Sequence, residues 1–176
     1  MMIKFARFNL YLCLALALLL AACSSTEDKK KKKEEKQVAY LELHLEVNPD
    51  GSSDNHEVTI NRDSPYTINV DKSPAVDSGD LDEAVIVDEL GGFVIRLKFN
   101  WRGTQLLDGV TAGNHNKRLA VFVRFPETRW LASPVIQKHI GNGVFSFTPD
   151  CTREEAERIV HGLNNVAKKI KIEDKL

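Results

Sequence analysis

"NKRLAVFVRFPETRWLASPVIQKHIGNGVFSFTPDCTREEAERIVHGL", Asn116 to Leu163, is the stretch that decides the fold. Its opening, Arg118 to Phe125, is dense in valine, leucine and phenylalanine and predicts a strand. Pro126-Glu127-Thr128 turns the chain, and Trp130 to Ile136 is expected to return beside that strand. Pro134 suits the edge of a sheet, where a missing N–H does no harm. Gly141 and Gly143 read as turns. Thr152 and Glu155 then form a capping-box pattern. Beyond it Ala156, Ile159, Val160, Leu163, Val166 and Ile170 trace one apolar helix face. Glu154, Glu155 and Glu157 stand at the positive end of the helix dipole, and Lys168, Lys169 and Lys171 at the negative end.

Working outward, Val38 to Val47 alternates. Leu41, Leu43, Leu45 and Val47 point one way and Glu42, His44 and Glu46 the other, the pattern of a half-buried strand. Asn48 to Asn55 is a turn cluster, and residues 57–61 and 65–70 read as short strands. Ser78 to Glu83 is expected to open a short helix, with Ser78 or Asp80 as its cap. "AVIVDE" and "FVIRLKF" predict a hairpin joined at Gly91-Gly92, with Phe93, Ile95, Leu97 and Phe99 on one face. Trp101 to Val110 reads as a short helix that Gly103 weakens. The expected architecture is α+β: a mainly antiparallel sheet with two helices packed on one face.

These pieces, in this order, resemble the periplasmic P1 head subdomain of SecD, the accessory subunit of the Sec protein translocase. The matching residues are Lys117-Arg118-Leu119-Ala120-Val121, then Pro134-Val135-Ile136, Gly141 and Gly143, and Thr152, Glu154, Glu155, Ala156 and Leu163. Upstream, "GGFVIRLKFNWRGTQLLDGVTAGNHNKR" matches that family's strand, its helix with an early glycine (Gly103) and its Thr-x-x-N step (Thr111, Asn114). The likeness spans roughly residues 65 to 165. No single piece is specific, but their order is. The resemblance implies a domain suited to handling extended polypeptide or docking on another envelope protein. The family's Asp-Gly hairpin is replaced here by Pro126-Glu127-Thr128, and its Ser-Ala-Pro by Ala132-Ser133-Pro134, so the hairpin tip and its contacts are expected to differ.

The N-terminus carries a second resemblance. Lys4 and Arg7 precede an uncharged segment, Phe8 to Leu20, shorter than the ~20 residues a spanning helix needs. Leu20-Ala21-Ala22-Cys23 resembles the lipobox of bacterial lipoproteins. That resemblance implies lipid transfer to the Cys23 sulfur and cleavage between Ala22 and Cys23. Several acyl chains anchor firmly, since each buried methylene contributes ~0.8 kcal/mol. Ser24, rather than Asp, implies the outer membrane, facing the periplasm, if the host is Gram-negative. The expected organisation is a signal peptide over 1–22, a lipidated Cys23 with a charged flexible linker to 37, and one domain over 38–176. Residues 24–37 contain nothing apolar. Their block Lys29 to Lys33 reads either as a contact for anionic headgroups or as solvated linker, and Glu34 and Glu35 favour the linker.

Composition narrows the function. Loss of residues 1–22 takes two of the 24 basic side chains and none of the 25 acidic ones, moving the net charge from −1 to −3. Nucleic acid is therefore not expected as a partner. Of three cysteines, Cys13 leaves with the signal and Cys23 carries lipid, so Cys151 has no disulfide partner. It lies just before a helix N-terminus, as a redox-sensitive thiol or, the reading we favour, a small packed residue. His44, His56, His115, His139 and His161 show no metal-ligand spacing. Asp77 to Glu83 lacks the twelve-residue calcium pattern and reads better as an acidic cap. There is no G-x-S-x-G and no phosphate-cradling loop. No cofactor, metal or small-molecule substrate is expected, and no enzyme activity. The expected function is a lipid-anchored envelope protein that binds a protein partner or extended polypeptide, with a possible tie to export. The alternative is a structural lipoprotein that stabilises an envelope assembly without binding clients. Either the sheet face or the 126–130 hairpin is the contact surface.

Overall fold

The computed structural model describes residues 37–49, 51, 53–125 and 127–173. The expected signal peptide and cleavage point at Ala22 and Cys23, and the linker as far as residue 36, lie outside the described residues, as does Pro126.

Among the described residues nine strands and two helices follow one another. They are β1 (Tyr40–Leu45), β2 (Asn55–Ile60), β3 (Tyr66–Asp71), β4 (Val76–Asp77), β5 (Leu81–Glu89) and β6 (Gly92–Phe99), then α1 (Trp101–Gly113), β7 (Leu119–Arg124), β8 (Thr128–Ala132), β9 (Val144–Phe147) and α2 (Arg153–Glu173). The fold is α+β and every named ladder is antiparallel, as expected. The strands divide into three sheets, ordered β4-β1-β7-β8, β2-β3 and β5-β6-β9. The main core gathers Leu41, Leu43, Val121, Leu131, Ile95 and Leu97 from the larger sheets with Leu107 of α1 and Ile159 and Leu163 of α2. Each such side chain contributes about 1.5–3 kcal/mol by leaving water.

A second, smaller core explains the first departure from expectation. The face of β1 that carries His44 is not solvated. Hairpin β2-β3 lies over it, and Val58, Ile60, Ile68 and Val70 pack with Ala120, Tyr66 and Trp130. His44 is consequently 4% exposed. Its Nδ1 lies 2.7 Å from the Asp71 carbonyl, and its ring meets Trp130 edge-on at 5.2 Å. Alternation within β1 cannot report a cover that arrives from another part of the chain.

Other corrections are local. Residues 78–80 form a single 3-10 turn capped by Asp77, whose Oδ1 accepts from the Gly79 N–H at 2.6 Å, and Leu81 already begins β5. Ser78 does not cap. Its hydroxyl instead bonds the Leu41 N–H and carbonyl on the edge of β1. The returning strand ends at Ala132, and Val135 makes only an isolated bridge with Arg118. A register shift between Val121 and Phe122 bends the pair there. The capping box of α2 is half made: the Glu155 N–H donates to Thr152 Oγ1 at 3.3 Å, while the Glu155 carboxylate is drawn away to Arg129 at 2.6 Å. Gly103 weakens α1 for a reason: a Cβ there would lie 2.7 Å from Asp80 Cβ and 2.9 Å from Phe99 Cβ.

Candidate binding groove

Exposed strand edges invite pairing with another chain, and three of the six sheet edges among the described residues carry bonds from other segments. On β5, the Asn164 side chain acts as a strand mimic. Its Oδ1 accepts from the Ala84 N–H at 2.9 Å and its Nδ2 donates to the Ala84 carbonyl at 2.8 Å. Lys171 and Arg153 of α2 extend the same cover to Asp82 and Asp88. On β8, the Asp150 N–H donates to the Leu131 carbonyl at 2.8 Å. On β3, the Asn69 carbonyl accepts from the Val47 N–H at 2.9 Å. Strand β9 differs. It ends its sheet with β6 as its one ladder partner among the described residues.

The free side of β9 borders a groove of about 580 Å³. One wall is Val144, Phe145 and Ser146, and the other is the segment from Pro134 to Asn142. Four residues of edge offer about 13 Å of backbone. The second wall is pinned along its length. The Leu119 N–H donates to the Pro134 carbonyl at 2.9 Å, and Ile136 exchanges bonds with Lys117 and Asn116 at 2.8 and 3.0 Å. His115 Nε2 lies 2.8 Å from the Gln137 carbonyl, and the Ile140 N–H donates to Thr111 Oγ1 at 2.9 Å. His139 pairs with Asp108 of α1. The groove is therefore preformed, which lowers the ordering entropy lost when something enters it.

Several residues shared with the family pattern hold or shape this groove. Thr111 ties α1 to the wall, and Asn114 ends α1 with its Nδ2 donating to the Val110 carbonyl. Arg118 donates to the Ser133 carbonyl at 2.9 Å, with its guanidinium over the Tyr66 ring. Gly143 has φ +67°, and a Cβ there would meet Thr104 Oγ1 at 2.0 Å, so only glycine lets the chain enter β9 at this point.

The other candidates disperse. His56 lies beside Trp130, at 6.2 Å, and His161 is exposed on α2. Among the described residues, no three His, Cys, Asp or Glu side chains converge as a metal site. Burial pushes the Cys151 thiol up to about 11, with Glu155 adding to the effect and Arg129 opposing it. The helix N-terminus does not prevail, so the thiolate is scarce at neutral pH. Asp80 is also raised, chiefly by burial, against the pull of Arg102. In the 126–130 hairpin Glu127 and Thr128 are exposed, but Arg129 is held by Asp150 and Glu155, and Trp130 packs on Phe122 at 4.8 Å. Sequence reasoning missed the groove. Its one available signal was the "VFSF" alternation after two glycines.

Among the described residues no helix is long and apolar enough to cross a membrane. An antiparallel α+β domain in which the edge of β9 borders a groove is the class the structure defines. The sequence matches the SecDF, P1 head subdomain family over residues 46–167, and the chain belongs to that family. Two solved structures share the fold. A membrane component SecDF that enhances protein export is 21% identical with a TM-score of 0.55, over 80% of this chain and 68% of that one. SecDF in a super-membrane-facing form is 20% identical with a TM-score of 0.57, over 80% of this chain and one fifth (20%) of that one. No curated protein matches the sequence.

Proposed function

We propose that this chain is a non-enzymatic envelope lipoprotein whose head domain binds extended polypeptide along β9. The observation that carries the reading is the open edge of β9 beside a pinned, preformed groove. A strand edge gives main-chain hydrogen bonds to any extended segment, and groove walls sort its side chains. The family supports the direction, since one structural relative is a membrane component that enhances protein export. Lipid on Cys23 would hold the head at a membrane surface, in the periplasm-facing leaflet of the outer membrane in a Gram-negative host.

Photoreactive residues placed at Ser146 and Gln137 of the full-length protein in cells test this, with one at Arg158 on the exposed side of α2 as control. Capture of many secreted chains from the groove positions, and not from Arg158, is the expected result. No capture, or one stoichiometric envelope partner from all three positions, overturns it and favours a structural role. Metabolic labelling with palmitate tests the anchor separately. Label should enter the wild type and be lost in Cys23→Ala.

A further inference from the structure

Resting on the reading of the groove as a polypeptide site, we infer that it selects extended segments in which acidic side chains alternate with apolar ones. The charge around it is one-sided. The ionisable residues in its walls are Lys138 and His139, and no Asp or Glu is among its lining residues. Arg96 joins from β6. It stands opposite Ser146 in the ladder, and its Nε approaches Ser146 Oγ to 3.4 Å. Directly opposed residues of an antiparallel pair share a face, so Arg96 and Lys98 lie on the same side of the sheet as Ser146 and Val144.

The nearby carboxylates are accounted for. Asp108 is bound to His139, and Glu83 stands across the ladder from Lys98 on the far side, against β5. Lys98 faces Glu83 across the ladder, though no ion pair joins them among the described residues. Arg96 has no carboxylate facing it in the ladder, and neither it nor Lys138 has one within 4.0 Å among the described residues. Arg118 and Arg158 also lack a carboxylate, but their guanidinium groups are bonded to the Ser133 and Glu154 carbonyls. Arg62, Arg102, Arg124, Arg129 and Arg153 each hold a carboxylate. An unmatched cation in one wall, Lys138, and another on the strand behind the other wall, Arg96, complement an anionic guest, and charge complementarity sets which segment docks.

Geometry divides the guest. A strand added to β9 lies about 4.8 Å from it, with side chains alternating between the two faces of the sheet. Those beside Val144 and Ser146 come within reach of the Arg96 guanidinium. Those of the opposite parity turn toward the apolar parts of the walls, Val135, Ile136, Ile140 and Phe145.

The test uses the purified full-length chain in detergent and three labelled ten-residue peptides that alternate valine with glutamate, serine or lysine. Fluorescence anisotropy at near-physiological salt should show the glutamate peptide binding at least tenfold more tightly than the serine peptide, and the lysine peptide more weakly than both. The preference should shrink at high salt, where the screening length falls to about 3 Å. The exposed double variant Arg96→Glu, Lys138→Glu should reverse the order while still binding the serine peptide. Equal binding of all three peptides, or an unchanged order in the variant, overturns the charge selection and leaves the groove a general polypeptide site. Failure of every peptide to bind overturns the groove reading itself.

Discussion

Replacing Asn164 by alanine should destabilise the domain and expose a second sticky edge. Ala84 is 1% exposed, and its backbone N–H and carbonyl both end on the Asn164 amide, at 2.9 and 2.8 Å. Leaving a buried backbone group unsatisfied costs about 1–3 kcal/mol. A shallow cavity lined by Ala84, Val85 and Asn164 lets water reach the site, which places the pair at the low end, about 2.5 kcal/mol together. Alanine is the better helix former by about 0.5 kcal/mol, so the net loss is about 2 kcal/mol. For a domain of this size that corresponds to a fall in Tm of about 8 °C. Urea titration at neutral pH measures the loss, and sedimentation velocity measures the self-association expected once β5 lacks its cover. A loss under about 0.5 kcal/mol with an unchanged monomer would refute the idea that this side chain closes the edge.

Three further outcomes follow from the packing and the titrating groups. Gly103→Ala should lower stability by about 1–3 kcal/mol despite the helix propensity gained, because the new methyl meets Asp80 and Phe99 well inside contact distance; thermal melts decide the sign. Asp80 binds its proton more tightly folded than unfolded, so its buried charge opposes folding above its raised folded pKa and not below the ordinary 3.8. Asp80→Asn should therefore raise the urea midpoint at pH 7, and the gain should fade as pH drops toward 3.8. Cys151, pushed up to about 11, should carry about one thiolate in a thousand at pH 8, so a thiol-specific disulfide reagent should label the native protein very slowly and the urea-unfolded protein at once.

What the sequence disclosed depended on how local each feature is. Helix α2 was legible because its six apolar positions repeat at helical spacing, and Ala156, Ile159, Leu163 and Val166 are indeed buried. The hairpin β5-β6 was legible from its glycine step, and its eight paired positions run from Leu81–Phe99 to Glu89–Gly92. His44 was misjudged because its cover, β2-β3, comes from elsewhere in the chain. Ser78 and Glu155 were misjudged for a related reason: each has a local capping role open to it and a stronger long-range partner, Leu41 in one case and Arg129 in the other. Strand β9 has four residues, too few for alternation to stand out, and β4 has two. The groove exists only once β9 and the segment after β8 are brought side by side. The family pattern pointed to its builders, Thr111, Arg118 and Gly143, without showing what they build.

Hydrogen exchange of the full-length chain, with and without an unfolded secretory polypeptide, tests the central claim most directly. About half the amides of an edge strand point away from its neighbour and exchange freely. Slowing confined to Val144 to Phe147 and the facing segment from Pro134 to Ile140, with α2 unchanged, is the expected result. Slowing at the 127–130 hairpin instead, or none anywhere, would contradict a polypeptide site on β9.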